Sequence, residues 1–206
     1  MSDYYYEYEH DSRYCYPDSF VLINKLNITD ASVLDDAERE ITALRTALLL
    51  DSHMPGDFNA RHLKAMHKEL FGDLYEWAGE IRLVNISKGS EFCRYEYIDE
   101  QLDGLLNKLK TENYLRDCAD LPSLAKRLAH YLGEINAIHP FREGNGRVQR
   151  MFVEHLANAV GYDLDYAKIG SNDMLEASVQ SFNGDHVLLE ELIENALRKR
   201  VGGDLL

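Results

Sequence analysis

The stretch Ile138-His139-Pro140-Phe141-Arg142-Glu143-Gly144-Asn145-Gly146-Arg147-Val148-Gln149-Arg150 decides how the chain reads. One apolar-periodic segment runs into it and another runs out of it. Gly144 and Gly146 remove side chains where backbone must approach a ligand or take positive φ. The apolar pattern restarting at Val148 predicts a helix that begins near residues 144–147. Its first amides lack intrahelical partners, which makes a ready anion site. Asn145 adds an amide donor to that site. Arg147 and Arg150 lie on one face of the first turn. The helix dipole disfavours cations there, so the pair calls for a bound anion, with a polyphosphate the natural candidate. Glu143 is a hard oxygen ligand suited to Mg²⁺ shared with phosphates. His139 can serve as general base near neutral pH.

Taken singly, a His-Pro turn or a Gly-Asn-Gly helix start is usually only a connection. Eight specified positions, at roughly one chance in twenty each, make coincidence negligible. His139-x-Phe141-x-Glu143-Gly144-Asn145-Gly146-Arg147-x-x-Arg150 matches H-x-F-x-(D/E)-G-N-G-R-x-x-R at every position. The chain therefore resembles the Fic family, over about residues 16–197.

The resemblance implies a mostly α-helical Fic-fold bundle with one β-hairpin, the flap, over the active site. It implies a protein adenylyltransferase, moving AMP from Mg-ATP onto a Ser, Thr or Tyr hydroxyl of a target protein, with pyrophosphate leaving. His139 is then the catalytic base. Gly144, Asn145, Gly146, Arg147 and Arg150 hold ATP phosphates, and Glu143 holds Mg²⁺. The flap holds the target by strand addition. Lys88 at its turn touches the nucleotide, or is a solvated turn lysine. Phosphorylation, as in the Doc branch, is the nearest alternative, but those members carry lysine where this chain has Gly146. Transfer of UMP or phosphocholine is weaker still. A Fic-fold binding module without chemistry is the reading from another class, and the complete motif speaks against it.

Many members of the family inhibit themselves through (S/T)-x-x-x-E-(G/N), whose glutamate pairs with the second motif arginine, here Arg150. Ser87 with Glu91 has the spacing but is followed by Phe92. Ser32 with Asp36 has the shorter acid, and Glu194-Asn195 has Glu190 where Ser or Thr is required. The expectation is a separate antitoxin supplying that glutamate, as for free-standing bacterial Fic toxins, with a relaxed internal motif at Ser32 as the alternative.

At 206 residues the sequence reads as one domain at about 19–200, between a flexible Tyr- and acid-rich tail at 1–18 and a frayed end at 201–206. The tail carries Tyr4, Tyr5, Tyr6, Tyr8, Tyr14 and Tyr16, candidates for self-modification. Acidic residues number 36 against 22 basic, for a net charge of −14. That excludes nucleic-acid or anionic-membrane binding through the whole surface. Cys15, Cys93 and Cys118 show no metal spacing or disulfide framework, and no signal peptide or membrane-length apolar run is seen. The expectation is a bacterial cytoplasmic protein, unless delivered to a host, for which a homo-oligomer is allowed.

Elsewhere Asn27 to Asp30 offers caps for a helix in which Leu34, Ala37, Ile41, Leu44 and Leu48 follow helical spacing, ended by Pro55-Gly56. A second starts at Asn59 and stops at Gly72, with His62 and His67 as surface or edge residues. A short core helix is expected at 74–78. Strand-like runs at 82–86 and 92–98 flank Ser87-Lys88-Gly89-Ser90 and predict the hairpin. Further helices are expected around Leu102–Leu109, from Leu121 into the motif, and from Val148 to Gly161 with Glu154 and His155 solvated. Two more are marked by Met174, Leu175, Val179 and Phe182, stopping at Gly184, and then by Leu188–Leu197.

Overall fold

A computed structural model describes residues 11–51 and 57–200. The expectations for Tyr4, Tyr5, Tyr6 and Tyr8, for Pro55-Gly56 and for residues 201–206 lie outside these. The described residues carry seven α-helices: α1 (Ala31–Asp51), α2 (Ala60–Phe71), α3 (Ile98–Thr111), α4 (Leu121–Ile138), α5 (Asn145–Ala159), α6 (Ser171–Phe182) and α7 (Val187–Ala196). Their one sheet pairs β1 (Tyr162–Leu164) with β2 (Leu197–Lys199), antiparallel, with Leu164 opposite Leu197. The helix-rich architecture agrees with the expected fold class.

The chain divides into two compact units. The first holds the residues up to Asp99 together with Pro140–Gly144. Here Asp30 caps α1, its Oδ1 accepting from the amides of Ser32 and Val33. Asn59 caps α2 by accepting from the His62 amide at 2.9 Å. Leu63, Met66, Leu70 and Phe71 on α2 are fully buried, as is Phe141. Residues 11–18, expected in the tail, belong to this packing. Tyr14 and Cys15 are buried, and Asp11 pairs with Arg142 at 3.0 Å with both side chains 3% exposed.

In α1, Leu34 and Thr42 are buried while Leu44 and Leu48 are exposed. Two expectations fail in this unit. Residues 74–78 form consecutive turns in place of a helix, with Leu74 and Tyr75 buried all the same. The hairpin lacks regular strands: a single bridge joins Ser87 to Glu91, Gly89 takes φ 70°, and Tyr95–Tyr97 is a 3-10 turn leading into α3. One bridge suffices because Ile86 and Phe92 bury their side chains and the Phe92 amide donates to the Ile86 carbonyl at 3.2 Å.

The second unit holds Glu100–His139 and the residues from Asn145 onward. Its core is α4, packed on α5, α6 and α7. Asp120 caps α4, accepting from the Ser123 amide at 2.8 Å. Leu124, Leu128, Leu132 and Ile135 form the buried stripe expected of it. Tyr131 is also buried, its hydroxyl donating to Glu112 at 2.5 Å. On α6 the inward residues are Ala177 and Ser181, while Leu175 and Val179 are exposed. Residues 197–199, expected at a helix end, are strand β2.

Candidate active site

The motif runs out of the second unit at His139, crosses the first at Pro140–Gly144 and re-enters the second at Asn145. In the second unit, His139 is the left-handed cap of α4, at φ 50° and ψ 62°, its amide bonded to Ile135 O at 2.9 Å. Its Nδ1 lies 3.2 Å from Asn136 O. A carbonyl only accepts, so Nδ1 carries the proton and Nε2 is the basic nitrogen. His139 is 6% exposed, which limits competition from water.

Helix α5 begins at Asn145 as the sequence predicts, and Asn145 is buried at its first position. Gly146 and Arg150 are brought together: a Cβ on Gly146 would stand 3.3 Å from the Arg150 Nη1. Arg147 and Arg150 are both half-buried. Burial holds the Arg150 guanidinium below its ordinary value, the phenol of Tyr166 opposes this, and Arg147 adds to the loss. Among the described residues, no carboxylate pairs with Arg150.

Two neighbours in this unit were missed. Tyr166 lies in a 3-10 turn (Tyr166–Lys168), and its buried hydroxyl has no hydrogen-bond partner among the described residues. Burial pushes that phenol strongly up. Glu154, expected to be solvated, is half-buried, and its carboxyl is pushed up by burial, then by Asp163.

In the first unit, Glu143 is half-buried and its Oε1 accepts from the Gly144 amide at 2.8 Å. Gly144 takes φ 81°, and Arg142 is enclosed by Asp11, Cys15 and the Tyr14 ring. Phe141 is an anchor in the core, as expected, stacked on His67 at 4.0 Å. His67, expected near the surface, is fully buried, and His62 is buried too. Spacing could not show this, because the partners of His67 come from distant segments. Lys88 is half-buried at the hairpin turn, where its amide bonds Ser90 O at 3.1 Å.

The candidate inhibitory pair Ser32 and Asp36 is engaged locally. The Ser32 hydroxyl donates to Asp30, and Asp36 pairs with Arg39 at 2.9 Å. Glu91 sits in the bridge with Ser87. The three cysteines are free thiols. Among the described residues no group of three or more His, Cys, Asp and Glu could hold a metal ion, and no helix is long and apolar enough to cross a membrane.

The Fic/DOC family model matches residues 57–157. The protein adenylyltransferase VbhT of Bartonella schoenbuchensis is 38% identical over 185 residues, covering 89% of this chain and 38% of that protein. The "Probable protein adenylyltransferase y4lH" of Sinorhizobium fredii is 40% identical over 172 residues, covering 83% of this chain and 88% of that one. The chain thus spans well under half of the first relative and most of the second. Among solved structures, the BepC effector of Bartonella tribocorum with bound AMPPNP superposes with a TM-score of 0.86 at 26% identity, covering 91% of this chain and 97% of that one. The N-terminal Fic domain of a Bartonella quintana effector with bound ADP gives 0.86 at 28% identity, covering 91% and 95%.

Proposed function

The chain belongs to the Fic/DOC family, and from that premise we propose that it is a protein adenylyltransferase. The observation that carries the proposal is Arg150. It is half-buried in the second turn of α5, close to a second arginine, with no carboxylate partner among the described residues. Burial penalises that charge, and the neighbouring Arg147 adds to the penalty. A bound polyphosphate would relieve the penalty, and Gly146 puts no side chain beside Arg150. Relatives named adenylyltransferases, and related structures holding ATP analogues or ADP, support ATP as the co-substrate.

In this reading Gly144, Asn145, Gly146, Arg147 and Arg150 receive the phosphates. The Nε2 of His139 takes the proton as the target hydroxyl attacks the α-phosphorus. The new P–O bond forms as the bond to the β-phosphate oxygen breaks, and pyrophosphate leaves. Charge stabilisation and positioning supply most of the rate. Glu143 suits Mg²⁺, offering a hard carboxylate held in place by the Gly144 amide. Bound there, the ion would neutralise charge on the departing pyrophosphate. Gly146 favours AMP over phosphate transfer, since a side chain there would press on Arg150.

The target would add a strand along residues 82–95, with Lys88 reaching the nucleotide. A small separate antitoxin would offer a glutamate to Arg150, since the internal candidate Ser32 bonds Asp30 and its acid Asp36 pairs with Arg39. The setting would be a bacterial cytoplasm, or a host cell after delivery. ATP labelled at the α- or γ-phosphate, added with the purified chain to a bacterial lysate, tests the reading. Label from the α-position on protein is expected. Label from the γ-position alone would make the chain a kinase, and none from either would leave a binding module.

A further inference from the structure

Residues 79–82 are tied to the motif at both ends. The first tie is His67. The Gly79 amide donates to its Nδ1 at 2.8 Å. That nitrogen is therefore the acceptor, so Nε2 carries the proton and donates to Glu143 O at 3.0 Å. The neutral ring lies between Phe71, at 4.8 Å, and Phe141, at 4.0 Å, and is fully buried. The second tie is Arg82, whose amide donates to Pro140 O at 3.0 Å. Pro140 O and Glu143 O bracket the loop that carries Phe141 and Arg142.

Arg82 then reaches into the hairpin. Its guanidinium donates to Val84 O at 2.6 Å and to Cys93 O, one acceptor on each arm. Its side chain is fully buried. Burying a guanidinium is costly and persists only where its donors are satisfied. The planar fork can hold two carbonyls in fixed register, which a lysine ammonium cannot do. The pairing between the arms is otherwise sparse: a bridge, the Lys88 and Phe92 amide bonds, and the Tyr95 amide donating to the Asn85 side chain at 3.0 Å. A hairpin of that size is marginal by itself.

We propose that Arg82 and His67 are positioning residues that hold the flap in one register with the motif segment 140–144. A target strand on the flap is thereby held in fixed register with the segment that carries Glu143. This rests on the adenylyl-transfer reading for its functional consequence, while the register itself is testable without it.

The test uses the 206-residue chain with Arg82→Lys and, separately, His67→Gln. Amide hydrogen exchange is followed at Lys88 and Phe92 in the flap and along α4 as reference. Alongside it run ATP titration calorimetry and incorporation of α-labelled phosphate into lysate protein. Arg82→Lys is expected to speed flap exchange about tenfold, the worth of one hydrogen bond to a charged group, and to leave α4 unchanged. Transfer is expected to fall about tenfold or more while ATP affinity moves less than about threefold, the split for a residue that positions the acceptor. In His67→Gln the amide can still donate to Glu143 O, so flap exchange is expected to lie between parent and Arg82→Lys. Unchanged flap exchange in both variants overturns the proposal, as does an equal rise in flap and α4. Should Arg82→Lys not fold, His67→Gln decides by the same comparison. A parent chain that transfers no label overturns the adenylyl reading alone, and the exchange result still decides the register.

Discussion

A Cβ placed on Gly144 would stand 2.2 Å from Cζ of Phe71, a separation no non-bonded pair of carbon atoms sustains. The glycine is fixed twice over, since its φ of 81° already lies where L side chains are strained. Phe71 closes α2 and is itself fully buried, so the ring has little freedom to withdraw. Gly144→Ala is therefore expected to cost about 1–3 kcal/mol of stability, the usual range for overpacking a tight core. Phe71→Leu in the same chain should return part of the loss, and a double-mutant cycle of thermal melts measures that coupling. Independent, additive losses would mean that backbone strain, not the ring, sets the requirement.

His139→Ala should leave ATP binding nearly intact and reduce AMP transfer about 10²–10⁴-fold, the worth of a positioned general base. The orientation of the ring motivates this, with Nδ1 donating to Asn136 O and Nε2 left basic. Steady-state transfer of α-label checks it alongside calorimetric ATP titration. Transfer at the parental rate would remove His139 from the chemistry.

Glu143→Ala should remove most of the Mg²⁺ dependence of ATP binding. A single carboxylate completed by phosphate oxygens is an ordinary magnesium site. Titrations with Mg²⁺ and with a chelator, on parent and variant, give the comparison. The same metal dependence in both would show that Glu143 is not a ligand.

Glu154→Gln should stabilise the protein near neutral pH. Burial first, then Asp163, pushes the Glu154 carboxyl above its ordinary value, with Arg200 opposing. A carboxyl raised in the folded state is penalised by ionising. Its stability deficit is absent below the unfolded value of about 4.3 and grows as pH climbs through the raised folded value. The glutamine variant is thus expected to melt higher than the parent near pH 7, read by thermal melts. The gap should close near pH 4. A variant that melts lower near pH 7 would show that the carboxylate makes a net favourable contact.

Much of this protein was legible without coordinates. The caps at Asp30 and Asn59, the stripe of Leu124, Leu128, Leu132 and Ile135, and the helix start at Asn145 are local features. Each follows from neighbours three or four residues away, and the sequence states those neighbours outright. The motif 139–150 is short and contiguous, so it can be read the same way. What spacing cannot carry is the identity of a partner from a distant segment. His67 looked like a surface residue because its bonds go to Gly79 and Glu143. Arg82 looked like one strand residue among several because its acceptors are main-chain carbonyls, which no side-chain pattern announces.

The amino-acid sequence alone thus determined the family resemblance, the helical class and the residues offered for chemistry, because those reside in local periodicity and one unbroken motif. Tertiary structure alone decided that Leu164 pairs with Leu197, that Asp11 meets Arg142, and that the flap is a bridged turn tied down by a buried arginine. These are long-range contacts whose formation depends on which buried polar groups must find partners once the chain has collapsed.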